Sequence, residues 1–221
     1  MRLLISALTK FLLGIILVAL FLFIPAGSFD YFGGWLFCAL LFIPMLILGI
    51  ILFIFSPELL KKRLDIKEKQ KAQKGVVSLS ALFFVFGFVV AGLDFRFSLF
   101  PLPDIVVIIA SIVLLFSYVL YALVLKQNRF LSRVIEVQEN QIVIDKGLYG
   151  IVRHPMYSAT ILMFLSIPLV LGSLYSFFCF LPYVALIAIR IINEEKLLQK
   201  ELRGYDEYMK KVRYRLIPFI W

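Results

Sequence analysis

One histidine, two cysteines and 14 acidic residues are all that 221 positions offer of those types, and each scarcity removes a class of chemistry. Cys38 and Cys179 lie in separate apolar runs with no CxxC spacing and no neighbouring histidine, so they read as small buried hydrophobes and imply neither a disulfide nor a zinc site. No metal site is expected elsewhere. There is no Ser-His-Asp order to argue for a hydrolase, no Gly-rich phosphate loop and no internal repeat. The C-terminal Pro218-Phe-Ile-Trp221 is not a prenylation box. The formal charge of +9 is a poor nucleic-acid signal, because the basic residues flank apolar runs and no recognition motif accompanies them.

What the chain has in abundance is apolar surface. Hydrophobic residues make up 62% of it, with 23 phenylalanines and a mean hydropathy of +1.00, well above an ordinary soluble domain. Six runs, Leu3–Ile24, Trp35–Phe55, Val76–Leu93, Ile105–Leu125, Met156–Leu171 and Leu174–Ile192, each approach the roughly 20 residues that cross a bilayer as helix. They predict an all-α, polytopic membrane bundle of about six transmembrane helices, the last two forming a tight hairpin over Gly172-Ser173. Lys10 interrupts the first run and no small-x-small cleavage site follows it, so that run is expected to stay as an anchor, not to be removed as a signal peptide. Lysine and arginine crowd the Ser56–Gly75 and Lys126–Arg153 connections and the tail after Glu195, whereas Pro25–Gly34 has none and Asp94–Asp104 only Arg96. The positive-inside rule then puts both termini and the two long loops in the cytoplasm, as for a multi-pass protein of the cell inner (plasma) membrane. Anionic headgroups are natural neighbours of such loops.

The organisation divides at about residue 125. Residues 1–125 carry the N-terminal spans and a basic loop at 56–75; residues 126–221 carry a polar loop, the hairpin and a basic C-terminal cap. Ser56-Pro57-Glu58 reads as N-cap, first helical residue and first-turn acid, predicting a short interfacial helix through Leu59, Leu60, Arg63, Leu64 and Ile66. Between Arg133 and Asp145 apolar residues such as Val134, Ile135, Val137 and Ile142 to Ile144 are set among Glu and Gln. That pattern predicts extended chain. It would serve equally as a strand laid over the helix ends or as exposed backbone that reads the edge of an adenine.

The densest chemistry lies in Gly147-Leu-Tyr-Gly-Ile-Val-Arg-His-Pro-Met-Tyr157. Pro155 suits the first position of a helix, placing His154 near the N-cap and leaving the N–H groups of Met156 and Tyr157 without intrahelical partners. A helix start attracts anions. Arg153 and His154 would strengthen that pull, and Tyr149 and Tyr157 offer flat faces and hydroxyls to a nucleoside. The competing reading is an interfacial Arg-His-Tyr anchor. Arg190 and Glu194 shift the balance, since they stand four residues apart on one helix face at the same end of the hairpin. Charge at membrane depth faces a polar cavity or another charge. An i,i+4 pair would account for both; a bidentate arginine contact to a substrate carboxylate or phosphate would account for them as a site.

These residues resemble those of a known family. Gly147-Leu-Tyr149, Arg153-His-Pro-Met-Tyr157, Pro168…Leu171-Gly-Ser173, Arg190…Glu194-Glu195, Gly204-Tyr-Asp-Glu-Tyr208 and Val212…Arg215-Leu-Ile-Pro218 are similar, in order and spacing, to the isoprenylcysteine carboxyl methyltransferases and their phospholipid methyltransferase relatives. The resemblance covers Val134 to Trp221. Ser56-Pro-Glu-Leu-Leu…Arg63 further resembles bacterial members, and Ala159 departs from the glycine many members carry there, which would narrow the pocket.

The resemblance implies S-adenosyl-L-methionine as methyl donor, held on the cytoplasmic side and closed over by the C-terminal segment. It places the backbone of Gln141, Ile142, Val143 and Ile144 beside the adenine, with Tyr149, His154, Pro155, Met156, Tyr157 and Glu194 around the rest of the cofactor. Arg190 would orient the acceptor, and Glu194 or Glu195 would be the functional carboxylate. The acceptor expected is lipid-like or prenylated, methylated most readily at a carboxyl oxygen; a phospholipid amine is the alternative. Membrane sterol reductases, with a comparable C-terminal half and NADPH as cofactor, and a non-catalytic membrane protein are the alternatives of other classes.

Overall fold

A computed structural model describes residues 2–65 and 71–221. Their helices are α1 (Arg2–Ala26), α2 (Phe32–Phe55), α3 (Pro57–Leu64), α4 (Lys71–Phe97), α5 (Asp104–Gln127), α6 (Pro155–Val170), α7 (Leu174–Phe180), α8 (Pro182–Glu201) and α9 (Tyr205–Lys211), with one 3-10 turn at Gly147–Gly150. No strand occurs among the described residues. The chain is an all-α membrane bundle.

Among the described residues five segments are long and apolar enough to cross a membrane: α1, α2, α4, α5 and the stretch Leu174–Glu201 that joins α7 to α8. The sixth predicted span, α6, is apolar but has only 16 residues, about 24 Å of helix against a hydrocarbon core of about 30 Å. The predicted last span is present as that one stretch: Leu181 keeps helical dihedrals (φ −55°, ψ −41°), and α7 passes into α8 with only the hydrogen bond that Pro182 cannot donate missing.

An extended apolar core lies within the bundle. α4 packs on α1, α7 and α8, and α5 runs along α6. Leu22, Phe37, Phe88, Leu114, Val170 and Phe180 are buried between them, while Ile24, Ile54 and Ile112 stand more than 60% exposed on the outside. Apolar side chains on both faces of the same helices suit lipid outside and packing inside. The end opposite the basic loops is stitched by polar bonds. Asp94 Oδ2 accepts from the Ser173 hydroxyl at 2.5 Å, and the Tyr31 hydroxyl donates to the Leu171 carbonyl at 2.6 Å. Gly172, at φ +75°, turns the chain between α6 and α7 in a conformation glycine adopts without strain.

Where α1 meets α4 the backbones almost touch. A Cβ added to Gly92 would lie 2.5 Å from the Leu22 carbonyl oxygen, and a main-chain atom cannot rotate aside. Gly92→Ala is therefore expected to cost about 1–3 kcal/mol through overpacking. Gly49→Ala, where an added Cβ meets nothing within 4 Å, should stabilise by about 0.5–1 kcal/mol. Thermal midpoints in detergent, moving in opposite directions, check both.

The short helix expected after Ser56 is present as α3, with Leu59 and Leu60 buried; Ile66 lies outside the described residues. The Arg133–Asp145 stretch is not a strand. It reverses at Glu139-Asn140, where Asn140 takes φ +56°, and its order comes from side chains. Gln138 Nε2 donates to the Phe130 carbonyl at 2.5 Å, the Gln138 N–H donates to Gln141 Oε1 at 2.9 Å, and Lys62 Nζ donates to Gln138 Oε1 at 2.5 Å. An apolar/polar alternation needs a partner strand to become a ladder. Here Val137 and Val143 pack instead on Leu202, Tyr205, Tyr208 and Val212.

Candidate functional site

The polar loop, the start of α6, the end of α8 and α9 surround a cleft at the end of the bundle that carries the long basic loops. It encloses about 810 Å³ of space not filled by protein atoms, partly continuous with solvent. Gln141, Ile142, Val143, Ile144, Tyr149, His154, Met156, Tyr157 and Glu194 all line it. Nine residues spread over 54 positions converge there. The other two predicted residues stand behind the wall: Pro155 is buried as the first residue of α6, and Arg190 is buried beneath Tyr157. Ala159 is fully buried in α6 and does not line the cleft, so the expected narrowing does not occur there.

The two adjacent glutamates of α8 have different work. Glu195 is 3% exposed and is the hub of the C-terminal cap. Its Oε1 accepts from Arg153 Nε at 2.7 Å and lies 3.1 Å from His154 Nε2, and its Oε2 accepts from Arg215 Nε at 2.8 Å. Arg153 completes the clasp by donating to the Val212 and Arg213 carbonyls. The chain end is drawn in as well. The N–H groups of Arg153 and His154 donate to the Tyr214 and Arg215 carbonyls, and those of Arg215 and Leu216 donate to the terminal Trp221 carbonyl. Trp221's ring lies 5.1 Å from the Arg215 guanidinium. Arg153 and His154 thus face a carboxylate, which corrects the expectation that they stand as spare positive charge at the helix start. Nor is the Tyr157 N–H spare: it donates to the His154 carbonyl.

Glu194 is half-buried and turned to the cleft. Its Oε2 accepts from the Tyr157 hydroxyl at 2.6 Å, while that same hydroxyl accepts from Arg190 Nε at 3.0 Å. Arg190 and Glu194 are thus joined through Tyr157. Arg190 also donates to the Arg133 carbonyl at 2.7 Å and to Gln73 Oε1 at 3.3 Å. A carboxylate, a phenol and a guanidinium form one polar line from the cleft into the bundle.

Tyr205 and Tyr208 of α9, part of the Gly204–Tyr208 motif, join the site although the sequence pattern does not place them there. Tyr208 donates to the Tyr149 carbonyl at 2.7 Å, and Asn128 Nδ2 donates to the Tyr149 hydroxyl at 3.0 Å. The Lys211–Asp145 ion pair at 2.6 Å ties α9 to the loop, and that bond together with the lysine's charge holds the Asp145 carboxyl below its usual range. Tyr205 lines the cleft, is 4% exposed, and its hydroxyl has no hydrogen-bond partner among the described residues. Burial, then the nearby carboxylates of Glu195 and Glu194, raise that hydroxyl far above its ordinary pKa. It remains a donor without an acceptor, and such groups are rare unless something else satisfies them. The i,i+3 spacing of Tyr205 and Tyr208 was the signal that could have found the pair.

Comparison with known proteins bears on the same region. Over 78 residues, 34% of this chain, the sequence is 40% identical to the mouse (Mus musculus) Delta(14)-sterol reductase, of which it covers 19%. The chain therefore spans about a fifth of that relative. Residues 105–203, from the start of α5 to just past the end of α8, match the phospholipid methyltransferase family. That stretch, a little under half of the chain, holds Tyr149, His154, Tyr157, Arg190 and Glu194, and its similarity to the phospholipid methyltransferase family points to a membrane methyltransferase.

Proposed function

We propose that this protein is an integral membrane methyltransferase that uses S-adenosyl-L-methionine to methylate a lipid-like or isoprenoid acceptor, most readily at a carboxyl oxygen, on the cytoplasmic face of the membrane. The observation that carries the reading is the convergence of Tyr157, Glu194 and Tyr205, whose buried hydroxyl is unsatisfied, on one cleft, with Arg190 directly behind. The donor set fits such a cofactor. Glu194 supplies acceptor oxygens and negative charge for a cation or ribose hydroxyls, Tyr205 an unused donor, and Ile142 to Ile144 with Tyr149 apolar surface for a nucleoside.

Bound there, the cofactor supplies an electrophilic methyl group to a nucleophile in line with its leaving sulfur. The protein's part is alignment and exclusion of water. Arg190, fixed by Tyr157, Gln73 and the Arg133 carbonyl, orients the acceptor's anionic group. Glu195, through Arg153, His154 and Arg215, keeps the C-terminal cap closed. A carboxylate nucleophile needs no general base, which suits a site with one histidine; an amine would lose its proton first, and Glu194 is the base within reach.

Two experiments test this. Transfer of radiolabelled methyl groups to membrane lipids and prenylcysteine analogues should be detectable with wild type and fall about 100-fold or more in kcat/KM for Arg190→Ala, the scale expected when a charged, positioning contact is removed. Unchanged turnover and acceptor affinity would remove Arg190 from the role. Tyr205→Phe should leave the thermal midpoint unchanged or slightly raised, since an unsatisfied buried hydroxyl is lost, yet weaken cofactor binding about 5- to 10-fold, the worth of one hydrogen bond.

The sterol reductase similarity favours a second reading, a reductase that binds NADPH in the same cleft. Its 2′-phosphate would need a cation beside the nucleoside. Arg153, which lines the cleft, is bound to Glu195 and two carbonyls, so that phosphate would have to be met by the arginines beside Tyr157.

A further inference from the structure

Beside the cleft, on the far side of Tyr157 from Glu194, three arginines from distant parts of the chain meet around one peptide unit. Arg63, from α3, donates from Nη1 to the Ser132 carbonyl at 3.2 Å. Arg190, from α8, donates from Nη2 to the next carbonyl, that of Arg133, at 2.7 Å. Arg133, itself exposed, brings a third guanidinium close enough to feel the charges of Arg63 and Arg190. Arg63 also reaches the wall of the cleft itself, with Nη1 3.5 Å from Met156 Sδ, and donates from Nη2 to the Tyr121 hydroxyl, whose ring centroid lies 5.4 Å from its guanidinium carbon.

Three like charges of graded exposure, with Arg190 buried, Arg63 half-buried and Arg133 exposed, thus lie near one another. Among the described residues no carboxylate forms an ion pair with Arg63 or Arg133. Arg133 is solvent-exposed, crowded by neighbouring protein atoms; that partial desolvation and then the charges of Arg63 and Arg190 lower its guanidinium from the ordinary value. Beside Arg190 there is also a donor to spare: Gln73 is fully buried, gives its Oε1 to Arg190, and leaves its Nε2 without a partner. Planar guanidinium forks and amide donors are the groups that recognise carboxylate and phosphate oxygens.

We infer that Arg63 and Arg133, together with Arg190, form the receptor for the anionic group of the acceptor lipid, so that α3, outside the segment matching the family, contributes a specificity-determining residue to the site. The inference rests on the methyl-transfer reading for the identity of the bound lipid as acceptor. Its chemistry is that of an oxyanion attached to an alkyl chain, either a carboxylate or a phosphate ester. A carboxylate bound there is itself the methylated group; a phosphate bound there places a neighbouring group of the same headgroup toward the cofactor. Arg63 and Arg133 are positioning residues, which hold the acceptor without touching the transferred methyl.

The test is a calorimetric titration of purified protein in a neutral maltoside detergent with dodecanoate, dodecyl phosphate and dodecanol, alongside S-adenosylmethionine. Wild type should bind at least one anion about 10-fold more tightly than the alcohol, and Arg63→Ala and Arg133→Ala should each erase about 5- to 10-fold of that preference, as expected for losing a charge-assisted contact. The affinity of Arg133→Ala for S-adenosylmethionine should stay within about 2-fold of wild type, since Arg133 does not line the cofactor cleft. Arg63→Lys should recover part of the loss, because it restores charge without the fork. Preference for dodecanoate supports a carboxyl acceptor, and preference for dodecyl phosphate supports a phosphate-bearing headgroup. Arg133 is the cleaner position, since its side chain makes no hydrogen bond to the described residues while Arg63 also holds the loop. Wild-type selectivity retained in Arg133→Ala, or equal binding of anions and alcohol by wild type, overturns the inference while leaving the cofactor reading intact. Absence of S-adenosylmethionine binding with anion selectivity preserved would instead count against the methyl-transfer reading alone.

Discussion

Glu195→Ala is expected to be the most damaging single substitution in the polar end of the molecule. The carboxylate is 3% exposed and takes hydrogen bonds or ion pairs from Arg153, His154 and Arg215. Removing it leaves Arg153, itself only 6% exposed, as a buried cation with no carboxylate opposite. Breaking a buried pair by deleting one partner costs about 3–5 kcal/mol, because the remaining charge stays desolvated. For a chain of this length that corresponds to a fall of about 10 °C in thermal midpoint. The C-terminal segment should loosen as well, since Arg215 loses its anchor. Limited proteolysis after Val212, slow in wild type, should become fast. Glu195→Gln, which keeps acceptor capacity on one oxygen, should fall between the two. A midpoint unchanged in both variants would mean that the clasp does not hold the cap.

Glu194→Ala should do the reverse. Its carboxylate is half-buried and its observed partner is the Tyr157 hydroxyl, which keeps its bond from Arg190 when the carboxylate is gone. Stability should therefore change by no more than about 1 kcal/mol, the worth of one hydrogen bond. Cofactor binding should suffer far more. Deleting a charged partner from a desolvated contact costs about 2 kcal/mol or more, a loss of about 30-fold in affinity. Calorimetry on Glu194→Ala beside Glu195→Ala separates binding from folding: the first should melt like wild type and bind poorly, the second should melt early. Full cofactor affinity in Glu194→Ala would remove that residue from the site.

The contrast between these neighbours shows where sequence reading reaches its limit. Consecutive helical residues point about 100° apart, and no local pattern says which of two glutamates faces a cleft. That depends on Arg215 and Tyr157, brought to different sides of α8 by the rest of the fold. The long apolar runs made α1, α2, α4 and α5 legible, because a bilayer admits few alternatives to helix, and Ser56-Pro57-Glu58 announced α3 through capping chemistry. The uninterrupted apolar run around Pro182 likewise made the last span legible, although the proline removes one of its hydrogen bonds. The loop from Arg133 to Asp145 misled because alternation specifies a strand only when an edge is available to pair with. Nine of the site residues were readable as a cluster of polar groups at one end of a hairpin. Tyr205 acquires its meaning from burial without a partner, and Arg63 reaches Met156 across 93 positions, contacts that no periodicity encodes.

The central claim is that the cleft walled by Tyr157, Glu194 and Tyr205 binds the methyl donor. The direct test is a calorimetric titration of S-adenosylmethionine, and separately of NADPH, into the folded, detergent-purified wild-type protein. Micromolar binding of S-adenosylmethionine with no measurable binding of NADPH is the predicted result. Binding of NADPH by protein that ignores S-adenosylmethionine would contradict the account and assign the cleft to a reductase.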